Sequence, residues 1–233
     1  MVKAFPISLI HMLLTFQINC QENIYTPKGH LVVAYYIPDE YPDSLRDVFD
    51  NAYSLEYPNA DLIITYGGYS TTKKFNCHGY AWHVSEGGDY VWIGAGPSGN
   101  QEAIYWQDYP EPSYIQIPSA HFPGGKVSYG YNNSHDHSAV VANPLIHGDG
   151  WVVSKWGDKV LMRHAYGDNP SWDADSLKFY MLNPKMTGST NILCNNVQRT
   201  YVTDITHMSD ATFNWTKGPY LSAVSGGGTH DSQ

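Results

Sequence analysis

Two rhythms of apolar and polar positions run along this chain, and the switches between them divide it into elements. Residues 21–58 open as a linker, and 31–37 then form a short β-branched and aromatic run that reads as a strand. The prolines within 38–42 end it. Beyond them Leu45, Val48, Phe49, Ala52 and Tyr53 recur at spacings of three and four, which predicts an amphipathic helix with Asp43 or Ser44 as its N-cap. A second helix is predicted over 76–86, with Tyr80, Ala81 and Val84 on the side that packs on a sheet, and it stops at Gly87-Gly88. After it come short runs at 90–93, 104–106, 126–129, 138–141 and 151–154, each bounded by Gly, Pro, Asn or Asp, and each reads as a strand. A helix first and an antiparallel meander after it predict an α+β fold.

The texture changes after Pro184. Residues 186–229 are rich in Thr, Ser and Asn, with strand-like segments at 192–194, 200–205, 211–215 and 221–224. Three regions follow: a signal-like segment over 1–20, a main domain over 21–184 and a separate β-module over 185–233.

Composition narrows the function. The 233 residues are 42% apolar, enough for a packed core. A net charge of −9, without a Lys/Arg run, argues against nucleic acid as a partner. Three cysteines, Cys20, Cys77 and Cys194, are too few for a disulfide-stapled scaffold, and no spacing favours a Cys77–Cys194 bridge. Lys3 followed by the apolar stretch 4–16 has the form of an export signal and is too short to span a bilayer. A secreted or cell-surface location is therefore expected. Cys20 falls where a lipoprotein would carry its lipid, although Gln17-Ile18-Asn19 lacks the small residue normally found before such a cysteine.

Cys77 carries the candidate chemistry. It follows Asn76 at the start of the second predicted helix, where free N–H groups and the helix dipole favour a thiolate. A nucleophilic thiol also needs a base brought from elsewhere in the fold. "SHDHSAVV", 134–141, offers His137 at the mouth of a strand, with His135 two residues earlier. An antiparallel return through 150–157 would set Ser154 or Lys155 beside His137. Ser154 can accept the Nδ1 proton and fix the tautomer, whereas a charged Lys155 would oppose an imidazolium.

Blander readings compete with this one. Free cysteine is among the most buried residue types, so Cys77 can be an inert core thiol. The eleven histidines admit a zinc set such as Cys77, His83, His137 and His164, but no Cys-x-x-Cys pair occurs, and His78 and His83 are five apart, a poor fit to one helical face. No metal or other cofactor is called for. The glycines of 94–99 and 124–125 lack a phosphate-loop lysine and read as turns.

The order Asn-Cys-His-x-Tyr-Ala-Trp, Asp-His-Ser-Ala-Val, Ser-Lys-Trp-Gly and Arg-His-Ala resembles a group of secreted bacterial proteins related to papain-like, NlpC/P60-type cysteine hydrolases, over roughly 25–183. The resemblance implies a cysteine helix packed on an antiparallel sheet, with Cys77 as nucleophile and His137 as base. The third site position falls in the Ser154-Lys155 pair, with Ser154 the candidate, where papain-like sites carry His, Asn, Asp or Glu. Asn76, Lys155 and His164 are site-supporting candidates. Through Cys194, Asn214-Trp215 and "VSGGGT", 187–229 resembles the first half of an immunoglobulin-like module. A full sandwich of that kind takes about 100 residues, so this stretch is expected to be a partial β-sandwich cut short by truncation.

The resulting expectation is an exported thiol peptidase or amidase that cleaves an amide bond in a peptide or peptidoglycan peptide, with cell-surface association. Hydrolysis and acyl transfer both stay open, since they share one thioester. The alternative is a surface binding or adhesion module that keeps the scaffold without the chemistry.

Overall fold

A computed structural model describes residues 20–94, 100–107, 111–118, 124–130, 137–143, 150–168, 177–183, 185–187 and 202–204. The fold they form is α+β, with antiparallel strands throughout.

Strands β1 (Cys20–Tyr25), β2 (Leu31–Tyr36) and β4 (Trp92–Ile93) make a three-stranded sheet in the order β1-β2-β4. The larger sheet has seven strands in the order β3-β9-β8-β7-β6-β10-β5. These are β3 (Asp61–Leu62), β5 (Tyr114–Ile117), β6 (Lys126–Tyr129), β7 (His137–Val141), β8 (Trp151–Lys155), β9 (Leu161–Ala165) and β10 (Leu177–Leu182). Farther on, β11 (Lys185–Thr187) pairs with β12 (Val202–Asp204), which falls within the strand expected over 200–205. The other strands expected in the C-terminal β-module, and Cys194, lie outside the described residues, as do 1–19.

Helix α2 (Cys77–Trp82) lies between the two sheets and buries five of its six residues. One core joins them: Val32, Ala34 and Ile93 from the small sheet, Ala81 and Trp82 from α2, and Val140, Tyr180 and Leu182 from the large one. Trp82 is its hub, with the rings of Tyr105, Trp106, Tyr114 and Tyr180 at 4.7–5.7 Å. The approach of α2 to the chain before β4 demands glycine at position 79, where a Cβ would sit 1.9 Å from the Val91 carbonyl oxygen. The other face of the large sheet holds a second cluster of Val127, Tyr129, Ala139, Val141 and Val152. Trp156 continues that face and packs on Tyr53 of helix α1 (Asp43–Glu56) and on Tyr57 just beyond its end.

Several expectations are corrected here. The second helix is shorter than 76–86, because His83 leaves helical geometry at φ −137° and a 3₁₀ turn over Val84–Glu86 takes its place. Residues 104–106 are not a strand: Gln101–Ala103 is a 3₁₀ turn that runs into α3 (Ile104–Gln107). The stretch before 31–37 is β1, not linker, paired with β2 over its whole length. In α1 the N-cap position is Pro42, and Val48 and Ala52 are exposed while Arg46 is buried. Arg46 is tolerated there because its guanidinium donates to the carbonyls of Thr71 and Tyr66 and lies 4.3 Å from the Tyr69 ring. Among the described residues no helix is long and apolar enough to cross a membrane.

Candidate active site

Asn76 builds the start of α2. Its Oδ1 accepts from the Gly79 N–H at 2.8 Å and from the Ile93 N–H at 3.2 Å, while Nδ2 donates to the Ile93 carbonyl at 2.8 Å. One buried amide therefore caps the helix and ties its first turn to β4.

Cys77 is buried and free. The backbone N–H groups of Ser138, His78 and Cys77 itself are directed at its sulfur, and the charge of Lys155 favours the thiolate. Burial outweighs all of these and pushes the thiol up to about 11. The helix-start advantage expected from sequence is thus present and overridden by desolvation. Cys77 rests as a neutral thiol and needs a proton acceptor to react.

Ser138 shows how α2 meets β7. Its hydroxyl accepts from Trp82 Nε1 at 2.9 Å and lies 2.8 Å from His78 Nδ1, so both helix side chains converge on it.

His137 begins β7, one residue before the amide that faces the sulfur. Side chains alternate along a strand, so Ser138 points under α2 while His137 and Ala139 turn to the face that carries Ser154. The ladder agrees, pairing Ala139 with Ser154 and His137 with Tyr129. The His137 ring packs on Tyr129, centroids 5.2 Å apart. Burial, reinforced by nearby His78 and His164, holds the imidazole well below its usual range. At neutral pH it is an uncharged ring, the form that can accept a proton.

The group expected to orient His137 is engaged elsewhere. Ser154 Oγ lies 2.7 Å from His164 Nε2 and accepts from Trp156 Nε1 at 2.9 Å. His164 Nδ1 lies 2.8 Å from the Ala165 carbonyl and must be its N–H donor, which leaves Nε2 to accept from Ser154. Ser154, Trp156 and His164 form a buried brace between β8 and β9, and that brace is the role of His164 left open by the sequence.

Lys155, the other residue of that pair, points back toward α2. It is fully buried, its Nζ donates to the carbonyls of Gly157 at 3.0 Å and Lys159 at 2.7 Å, and it sits 5.5 Å from the centre of the Phe75 ring. Burial lowers it to about 7. His135 lies outside the described residues.

Glu102 is a site residue that the sequence did not point to. It is 1% exposed, its Oε2 has no hydrogen-bond partner among the described residues, and burial raises its carboxyl to about 7. A Cβ on Gly94 would lie 2.7 Å from that oxygen and 3.5 Å from His78 Cδ2, so Glu102 and His78 both pack against Gly94. A single acidic residue just before a segment that reads as a strand gives no signal of this. Among the described residues, no group of three or more His, Cys, Asp or Glu side chains is placed to hold a metal ion.

No family model, curated protein or solved structure matches the chain. The fold and site define an α+β protein in which a capped thiol at the start of a buried helix is held against a strand that opens with a neutral histidine.

Proposed function

We propose that this protein is a thiol hydrolase of the papain-like, NlpC/P60 type, acting on an amide bond in a peptide or cell-wall peptide outside the cell. Its best support is one contact: the Cys77 sulfur lies against the Ser138 amide, one residue from the neutral His137. The sulfur thus meets the start of β7, and the proposed chemistry requires the His137 ring, which the pleat turns to the face opposite α2, to reach it around the end of that strand. In the proposed reaction the Cys77 proton passes to His137, the sulfur attacks the amide carbonyl, and the carbonyl π electrons move to oxygen. Collapse of that intermediate forms the thioester and breaks the C–N bond, with the imidazolium returning its proton to the leaving amine. Water then cleaves the thioester. The N–H groups directed at the sulfur favour its thiolate form.

A second reading is favoured by burial. A thiol held near 11, with Ser154 committed to His164, suits a surface binding or adhesion module that has kept the scaffold without the chemistry. A panel of peptides and muropeptides separates the two. Turnover by wild type that disappears in Cys77→Ala and drops steeply in His137→Ala supports the hydrolase. Binding without turnover, unchanged in Cys77→Ala, supports the module.

A further inference from the structure

Lys74 and Arg46 are two buried cations that converge on one exposed ring. Lys74 stands three residues before Cys77 and is 7% exposed, and Arg46 of α1 is 2% exposed. The Lys74 Nζ lies 5.5 Å and the Arg46 guanidinium carbon 5.6 Å from the centre of the Tyr66 ring. Tyr66 opens a 3₁₀ turn, Tyr66–Gly68, and is 41% exposed. The ring of Tyr36, also exposed at the end of β2, lies 5.7 Å from the same Nζ. We infer that this corner is a substrate subsite that takes a carboxylate, the free terminus or an acidic side chain of the peptide whose amide Cys77 attacks. This rests on the reading of the protein as a thiol hydrolase and adds the charge of its substrate.

A charge held out of water is costly unless an opposite charge meets it. Lys74 donates to the carbonyls of Ile37 at 3.2 Å and Pro38 at 2.6 Å, and among the described residues no carboxylate lies at ion-pair distance from it. An ammonium has three N–H bonds, so one is left for a ligand. Arg46 donates to the Thr71 and Tyr66 carbonyls, and its ion pair is with Asp43 at 3.6 Å, an exposed carboxylate that contributes little. The acids of the adjoining segments are engaged elsewhere: Asp50 accepts from the Ser70 and Thr71 amides, and Glu40 from the Thr72 hydroxyl and the Lys73 amide. Neither cation therefore meets a buried carboxylate, and a substrate acid is the complement that would supply one. A chain of rings joins this corner to the helix of the thiol. Tyr66 meets Tyr90 at 6.0 Å, Tyr90 meets Phe75 at 5.1 Å, and Phe75 meets Tyr80 of α2 at 6.0 Å.

Binding is measured on Cys77→Ala, which removes the proposed nucleophile, with acetyl-Ala-Phe-Ala as the free acid and as its C-terminal amide. The free acid should shift the NMR signals of the Lys74 ε-methylene and the Tyr66 ring, and should bind about tenfold more tightly than the amide. Adding Lys74→Met should erase that difference by weakening the acid alone. Equal affinity of the two forms, binding by neither, or binding that leaves the Lys74 and Tyr66 signals unmoved overturns the inference. Those outcomes need no change at Lys74, so they decide it even where Lys74→Met does not fold. A preference for the acid that survives in folded Cys77→Ala/Lys74→Met overturns it as well. Failure of the hydrolase reading looks different: the acid would bind at Lys74 as described, and wild type would cleave no peptide.

Discussion

Asn76→Ala tests how the site is assembled. The substitution removes three hydrogen bonds of one buried side chain: the cap on Gly79 and both bonds to the Ile93 backbone. Loss of an Asn cap costs about 1 kcal/mol. Ile93 is fully buried, and each of its two backbone groups left with a weaker or absent partner adds about 1 kcal/mol. The total is about 3 kcal/mol, which at a urea slope of about 2 kcal/mol/M lowers the unfolding midpoint by about 1.5 M. Asn76→Asp keeps both accepted bonds and loses the donated one, so it should fall between Asn76→Ala and wild type. Urea melts followed by tryptophan fluorescence give both values, with Trp82 in the core as reporter. An Asn76→Ala midpoint indistinguishable from wild type would refute the claim that this amide joins α2 to β4.

Three further outcomes are expected. Gly79→Ala places a methyl 1.9 Å from the Val91 carbonyl oxygen, so α2 must shift away from the chain before β4; thermal unfolding should show a loss of about 3 kcal/mol or more, well above the ordinary helical preference for alanine. Ser154→Ala leaves His164 Nε2 and Trp156 Nε1 without their shared oxygen, and a loss of about 2 kcal/mol in the same assay is expected for two buried polar atoms. Glu102 should make stability fall as pH rises: its folded carboxyl titrates near 7 against an ordinary 4.5, so the folded state holds the proton more tightly and the penalty grows between those values. At about 1.4 kcal/mol per pH unit the ionised carboxyl costs the fold about 3 kcal/mol above pH 7, and Glu102→Gln should flatten the stability profile over that window.

Much of the framework is legible in the sequence where a pattern meets burial on a single face. The run at 126–129 and the two strands that flank the candidate base show their β-branched character directly. Helix α2 is legible from Asn76 and the apolar run that follows it, but the single packing side which that run suggests understates its burial, since nearly every side of it is buried between two sheets. Its early end at His83, and the helical form of 104–106, come from tertiary packing: Tyr105 is wholly buried beside Trp82, and a short apolar run carries no period that separates strand from helix. Arg46 explains the misread face of α1, because a buried guanidinium satisfied by carbonyls is invisible to hydrophobic periodicity.

The site shows the same division. Cys77 and His137 stand out by residue type and local context. Which neighbour each one faces depends on the pleat of β7 and β8, where a step of one residue exchanges the two faces of the sheet. That step separates Ser138 from His137 and Lys155 from Ser154. Sequence spacing narrows the third position to Ser154 or Lys155, and the ladder puts them on different faces: Ser154 braces His164, and Lys155 turns toward α2, where its Nζ is held by the Gly157 and Lys159 carbonyls.

Acylation of the intact protein tests the nucleophile most directly. After mixing with an activated peptide ester, wild type should gain one acyl mass, mapped to Cys77 by digestion and lost again as product accumulates, and the adduct should form more slowly in His137→Ala. Cys77→Ala that turns the ester over as fast as wild type, or an acyl group found only on Cys20 or Cys194, would contradict it.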